Sequence, residues 1–296
     1  MKIKNTYQPK IVIVGSSSVD LVLNTDHHPQ PNETVLAKNF ENFFGGKGAN
    51  QAVATARLGA SVYFVGAVGM DPYGQQVIRN LVDEHVNVGF VAEKTRHETG
   101  TAYVTSAKGK TSIVVVPAAN NDLNHFDIDI AEKIIFQADL VLTQLEIPMT
   151  AVEYLFKKCK ELGVKIGIYA APAKPLSLEI IDYAEFIVAK SNDLSTIFGE
   201  ESREDILKKL PNKLFVRDDS NSTVFFDGNE MKYYRNDPEE MAHKMGMGDA
   251  FTSSFAIAYC HGNSISDCVK FGNDVSRKVA ANKGSQGGLP FLKDVI

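Results

Sequence analysis

Three short words in this sequence place reactive side chains beside glycines, each at the end of an extended run. The first is Lys244-Met245-Gly246-Met247-Gly248-Asp249, ahead of a helix whose apolar positions include Phe251, Phe255, Ile257 and Ala258. Two glycines at a helix start make an anion site. A carboxylate beside such a site suits proton removal from a hydroxyl during phosphoryl transfer. The same aspartate equally fits a plain first-turn position that favours the helix dipole. The second word is Phe44-Gly45-Gly46-Lys47-Gly48-Ala49-Asn50-Gln51. Its glycines allow close backbone approach, Lys47 adds charge, and Asn50 both donates and accepts. The spacing matches neither a Walker A loop nor the dinucleotide fingerprint, so by itself it serves structure as readily as binding. The third is Gly15-Ser16-Ser17-Ser18-Val19-Asp20, just past the first apolar run. An acid there stands where open α/β sheets bind ligands, and it can accept from two adjacent sugar hydroxyls or remain a solvated loop acid. Glu146 is placed similarly after Leu140-Val141-Leu142.

The elements that position these words alternate short apolar runs with amphipathic stretches, the pattern of an α/β layer fold. Strands are expected at Ile11 to Val14, Ser61 to Ala67, Leu140 to Leu142, Lys165 to Ile168, Phe186 to Val188 and Leu214 to Val216. Helices are expected at Ala49 to Leu58, Tyr73 to Glu84 and Ala151 to Leu162, the first and third closed by Gly59 and Gly163. Such a series calls for a mostly parallel sheet covered on both faces. Two regions break the rhythm: Leu21 to Phe44, extended and polar, and Thr101 to Val116, which reads as a hairpin about Lys108-Gly109-Lys110. They form either a small second sheet acting as a lid or a β-extension of structural value only.

Composition bounds the function. The 296 residues are 44% hydrophobic and 23% charged, with a net charge of −5, enough to bury a core and without the basic surplus of a nucleic-acid binder. No apolar run is long enough to span a membrane, and MKIKNTYQPK lacks the apolar centre of a secretory signal. Three cysteines, Cys159, Cys260 and Cys268, are too few for a disulfide scaffold and read as reduced packing residues of a cytoplasmic protein. The histidines, His27-His28 included, have no metal-ligand spacing, and Glu200 to Lys209 reads as a solvated helix face. No linker or repeat divides the chain, so one domain over 1–296 is expected, with lid segments at about 18–44 and 98–117.

Taken together, in this order and spacing, the words resemble the ribokinase family of carbohydrate kinases, the phosphofructokinase-B family, from Val12 to Pro290. Gly45 to Ala52 followed by Gly59 and Gly69 meets the family's first signature. Pro31-Asn32-Glu33-Thr34, Gln144-Leu145-Glu146, Ala171-Pro172-Ala173 and Lys283-Gly284-Ser285-Gln286 resemble the ribokinase form. The resemblance implies a three-layer α/β/α sandwich with a small β-sheet lid that also pairs two subunits as a homodimer. It implies transfer of the ATP γ-phosphate to the 5-hydroxyl of D-ribose, with Mg2+ and a possible role for K+. By position, Asp20, Gly46, Lys47, Asn50 and Glu146 match sugar-binding residues. Gly246 and Gly248 match the anion hole and Asp249 the base. Lys190, Arg217, Ser222 and Asn273 fall in the nucleotide region, and Asp193 stands where a carboxylate organises magnesium-bound water.

The departures cluster on the nucleotide side. Asn-x-x-Glu reads Lys190-Ser191-Asn192-Asp193, and Thr-x-Gly-x-x-Gly reads Arg217-Asp218-Asp219-Ser220-Asn221-Ser222, without glycines and with two acids facing an anionic ligand. The Asp-Thr that helps hold potassium reads His243-Lys244, which leaves a lysine, Lys244 or Lys190, to supply charge instead. Met247 replaces an alanine, Tyr169 an asparagine, and Ser18 another asparagine. Three readings follow: an active ribokinase-like enzyme, a sugar-binding protein that no longer turns over ATP, and a kinase of another sugar or a nucleoside.

Overall fold

The computed structural model describes Ile3 and residues 7–235, 245–279 and 284–295. His243, Lys244 and Lys283, singled out above, lie outside these residues. In chain order the strands are β1 (Lys10–Val14), β2 (Ser18–Asn24), β3 (Asn39–Gly45), β4 (Ser61–Gly69), β5 (Asn87–Lys94), β6 (Thr101–Ala107), β7 (Lys110–Val116), β8 (Leu140–Gln144), β9 (Ile166–Tyr169), β10 (Phe186–Lys190), β11 (Leu214–Arg217), β12 (Thr223–Phe226) and β13 (Met231–Tyr234). The helices are α1 (Lys47–Arg57), α2 (Pro72–Asp83), α3 (His125–Ile130), α4 (Glu132–Phe136), α5 (Met149–Leu162), α6 (Leu178–Tyr183), α7 (Leu194–Phe198), α8 (Arg203–Lys209), α9 (Met247–Cys260) and α10 (Ile265–Val279).

Among the described residues a nine-stranded sheet runs β13-β12-β11-β10-β9-β8-β1-β4-β5, parallel except where β12 and β13 fold back. Strand β1 explains why helices cover both faces. Successive side chains of a strand point to opposite sides, and all four of Ile11 to Val14 are fully buried. Ile11 and Ile13 join the core beneath α1, α2, α9 and α10; Val12 and Val14 join the core beneath α3 to α8. The result is a three-layer α/β/α sandwich. No helix among the described residues is long and apolar enough to cross a membrane.

The expected strands and helices are all present, with bounds shifted by a residue or two. Helix α2 begins as its sequence promises: Pro72 holds the first helical position and Asp71 accepts from the Gly74 amide at 2.8 Å. Strand β5 and the β12–β13 hairpin were not anticipated. The hairpin carried a usable signal, Asp227-Gly228: the Asp227 carboxylate accepts from the Asn229 and Glu230 amides, and Gly228 has φ +101°. The stretch Glu200 to Lys209 is helical only from Arg203 and is not merely a solvated face, because Ile206 and Leu207 are buried in the core.

The two rhythm-breaking regions meet in a separate four-stranded sheet ordered β3-β2-β6-β7, a small lid. It starts at Ser18, within a few residues of the end of β1, so Asp20 on the lid and Ser16 on the main sheet are tied to one short piece of chain. On the opposite side Arg57 braces the chain's last turns. It forks onto Glu84 and donates to the Gln286 and Leu289 carbonyls at 2.9 and 2.7 Å. Removing one partner of a half-buried pair strands the other. Arg57→Met is therefore expected to cost about 3 kcal/mol in urea unfolding; a loss under about 1 kcal/mol would mean the fork is a solvated surface pair.

Candidate active site

The strand order reverses at β1, which has β4 on one side and β8 on the other. In open α/β sheets that reversal leaves a crevice beyond the carboxyl ends of the strands. Ser16 follows β1 and Glu146 follows β8, and they meet there: Ser16 Oγ donates to Glu146 Oε2 at 2.6 Å. The same oxygen accepts the Lys47 backbone N–H at 2.9 Å, and Lys47 Nζ stands 3.6 Å from Oε1. The turn into α1 is locked by fit. Gly46 has φ +85°, and a Cβ there would fall 2.5 Å from the Ser17 Cα.

Helix α1 then aims two amides at one carboxylate. Asn50 Nδ2 lies 3.3 Å from Asp249 Oδ2, and Gln51 Nε2 lies 3.3 Å from Oδ1. Gln144, at the end of β8, donates to Gln51 Oε1 at 2.7 Å and so fixes which end of that amide faces the acid. Asp249 is buried in the first turn of α9, which opens at Gly246 in the left-handed region (φ +77°). A Cβ on Gly246 would meet the Ser285 carbonyl at 2.6 Å, and one on Gly248 would meet the Tyr169 hydroxyl at 2.2 Å. Both glycines are thus required by neighbours. The first N–H groups of α9 have no partner within the helix.

Electrostatics make this an unusual pocket. Burial pushes Asp249 up to about 6; Lys47 opposes that rise, Glu146 adds to it, and the amides of Asn50 and Gln51 oppose it. Asp20 is likewise pushed up to about 6, by burial first and Glu146 second, against the Ser18 hydroxyl at 3.1 Å, Ser285 and Lys47. Burial opposes the charge on Lys47, but Asp249 and Glu146 together hold its ammonium above the ordinary range. Its Nζ also lies 5.7 Å from the Tyr169 ring centroid. Asp20 sits under Gly45, where a Cβ would fall 2.3 Å from its Oδ1. Three carboxylates and one lysine therefore surround a space at the lid's edge.

On the far side of Tyr169 lies a cleft of about 270 Å³ lined by Lys190, Ser191, Asn192 and Arg217 to Ser220. Lys190 and Arg217 are register partners on β10 and β11. Lys190 is exposed, whereas Arg217 is buried and donates to the Met247 carbonyl at 3.0 Å and Ser276 Oγ at 2.8 Å. The loop that replaces a glycine turn is closed by its own acid. Asp218 Oδ1 accepts from the Ser220 and Ser222 amides at 3.0 and 2.9 Å, and Asn221 takes the left-handed φ of +61°. Asp218 and Asp219 line the cleft, as the sequence suggested, and Asp218 also closes its own loop through Oδ1. Asn273 is buried behind that loop, its Oδ1 accepting from Thr223 Oγ1 at 2.8 Å and its Nδ2 without a partner. Asp193 lies within electrostatic reach of Tyr169. Among the described residues no group of three or more His, Cys, Asp or Glu side chains is placed to hold a metal.

Asp20, Gly46, Lys47, Asn50, Glu146, Gly246, Gly248 and Asp249 are thus brought together, while Lys190, Asp193, Arg217, Ser222 and Asn273 surround the adjoining cleft or lie behind it. Sequence reasoning missed Ser16, Gln51, Gln144 and Ser285 as parts of the site. All four lie inside the quoted words, but their roles depend on contacts between distant segments.

Residues 8–292 match the model of the pfkB family carbohydrate kinases. The chain is 37% identical over 285 residues to a ribokinase of Bacillus subtilis, covering 96% of this chain and 97% of the relative. It is 35% identical over 291 residues to a ribokinase of Lactococcus lactis, covering 97% and 95%. Among solved structures, an Arabidopsis thaliana ribokinase complexed with ribose and ATP superposes with a TM-score of 0.86 at 28% identity, over 98% of both chains. A Thermotoga maritima ribokinase superposes at 0.87 with 27% identity, over 97% and 98%.

Proposed function

This chain belongs to the pfkB family of carbohydrate kinases, and within that family we propose that it phosphorylates the 5-hydroxyl of D-ribose with ATP. One observation carries the reading: the Asp249 carboxylate, at a glycine-flanked helix tip, is held 3.3 Å from Asn50 in the pocket that Lys47 and Glu146 share. Asp20 accepts from sugar hydroxyls on the lid side, and Lys47, Asn50 and Glu146, with the backbone at Gly46, complete the sugar's polar shell. Asp249 takes the proton of the reacting hydroxyl as its oxygen forms a bond to the transferred phosphorus; the bond from phosphorus to the bridging oxygen breaks and ADP leaves. Gly246 and Gly248 let the opening N–H groups of α9 face the phosphoryl oxygens, where charge accumulates. With its carboxyl at about 6, Asp249 is mostly ionised at neutral pH, ready to accept.

The nucleotide occupies the cleft beside Lys190, with Ser222 and Asn273 on its adenine side. That cleft brings Lys190 and Arg217 to an anion beside two acids, of which Asp218 also accepts from the Ser220 and Ser222 amides of its own loop. Among the described residues no carboxylate cluster is placed to cage Mg2+, so the ion would be carried by the nucleotide's phosphates and waters, with Asp193 placed to act through water. It supplies charge neutralisation on the transferred group.

The discriminating experiment is ADP release with ribose, 2-deoxyribose, fructose and a ribonucleoside, with product detected by phosphorus NMR. Ribose is expected to give kcat/KM at least about tenfold above the others, the discrimination available from a lost hydroxyl contact. A preferred ketohexose or nucleoside would overturn the ribose assignment, and no transfer to any alcohol would make the chain a sugar-binding protein.

We further propose that the lid pairs two subunits. Strand β7 is exposed along its whole length, including Ile113 to Val116, with Tyr103 and Phe40 also exposed on the same sheet. An open apolar edge invites pairing. Val114→Lys is expected to shift sedimentation from dimer to monomer at micromolar protein; a variant that sediments like wild type would put the interface elsewhere.

A further inference from the structure

Among the described residues Arg217 is a buried charge of the site with no acidic partner in contact. Among the described residues its hydrogen-bond partners are a carbonyl, Met247 O, and a hydroxyl, Ser276 Oγ, and its guanidinium stacks 4.5 Å from the Phe251 ring centroid. All three are neutral. Its Nε has no hydrogen-bond partner among the described residues. Asp218, Asp249 and Tyr169 act on it only at longer range, and Asp218 is occupied by its own loop. Burial pulls the guanidinium down to about 10, the mark of a charge that its surroundings do not balance. Natural proteins rarely retain such a group unless something arrives to pair with it.

Its position says what arrives. Met247 is the residue between Gly246 and Gly248, so Arg217 is bonded to the carbonyl of the very turn whose N–H groups face the pocket. We infer that Arg217 is a built-in countercharge: it fixes the turn from behind and is balanced only when a phosphoryl or pyrophosphate anion occupies the adjoining cleft. This makes Arg217 a positioning and electrostatic residue, and it deepens the phosphotransfer reading on which it rests. Ser276 Oγ itself lies 3.0 Å from the Met247 carbonyl. The same hydroxyl lies 2.8 Å from Asn221 Oδ1, so its single proton serves one acceptor or the other, and removing the guanidinium leaves the Met247 carbonyl within its reach.

The test compares wild type, Arg217→Met, Arg217→Lys and Asp249→Asn, with inorganic pyrophosphate and ADP as probes. Melting is followed without ligand and with each anion, and kcat and KM are measured for sugar and ATP. Arg217→Met is expected to melt without ligand at or above the wild-type temperature and to lose the anion-induced rise. Its kcat is expected to fall by about 10- to 100-fold, the size of one charge acting across roughly 6–12 Å at an effective dielectric of about 20, with KM for sugar unchanged. Arg217→Lys is expected to keep most of the anion response. An Arg217→Met protein that melts well below wild type yet keeps its anion response would overturn the inference, as would loss of the response in Arg217→Lys. Asp249→Asn separates the two levels: it abolishes transfer while keeping the anion response. Failure of wild type to phosphorylate any alcohol, with an Arg217-dependent anion response intact, would remove the kinase reading and leave the countercharge.

Discussion

Asp249→Asn is expected to lower kcat for ribose by about 10³-fold, within the usual worth of a positioned general base, while ribose still binds. The substitution keeps the shape of the group that faces Asn50 and Gln51 at 3.3 Å but turns one accepting oxygen into an NH2, so it removes the ability to take a proton and one of the two accepted hydrogen bonds. It is also expected to stabilise the unliganded protein. A carboxyl held at about 6 in the fold and 3.8 in the unfolded chain binds more protons in the native state between those values. Stability from this group is therefore present below about pH 4 and lost as pH rises through 6. At neutral pH the charged acid costs on the order of 2–3 kcal/mol, which the neutral amide avoids. Activity assays and thermal melts at pH 7.5 check both halves. A variant that is less stable and still active would mean that Asp249 is a structural cap.

Gly248→Ala is expected to lower kcat by about 100-fold or more, the cost of misplacing anion-hole donors. The cause is specific to this chain. An added Cβ meets the Tyr169 hydroxyl at 2.2 Å and its ring carbon Cζ at 2.5 Å, and the ring is buried with no room to retreat. Tyr169 stands where the family resemblance expects the smaller asparagine. Adding Tyr169→Asn to Gly248→Ala is therefore expected to restore much of the lost rate, a coupling that a double-mutant cycle measures directly. If the double variant is no better than Gly248→Ala, the glycine is required by its backbone alone.

Much of this was legible in the chain. The β1 run Ile11 to Val14 and the strands that follow it announced a parallel sheet, because both faces of such strands are buried and their residues are apolar without alternation. The three glycine words announced the site, since glycine is needed where backbones or side chains approach too closely for a Cβ, as at Gly45 over Asp20. What could not be read were the pairings across distant segments. Nothing local says that Gln144 orients Gln51 across 93 residues, or that Arg217 reaches Met247 and Ser276. Charge counting put Asp218 and Asp219 at the cleft, where the structure has them, but no local pattern announced that Asp218 also closes its loop by accepting the Ser220 and Ser222 amides. The lid was visible as two polar interruptions of the βα rhythm. Their union into one sheet required the parallel pairing of β2 with β6, far apart in sequence.

The pH dependence of kcat/KM for ribose, measured on wild type and Asp249→Asn side by side, tests proton removal by this carboxylate most directly. Wild type is expected to lose activity below about pH 6, where Asp249 and Asp20 both take up protons, and the variant to show a much lower rate with a shallower acid limb, only Asp20 remaining to titrate. An Asp249→Asn profile with the same steepness as wild type, at a rate within about tenfold of it, would contradict the assignment of the base.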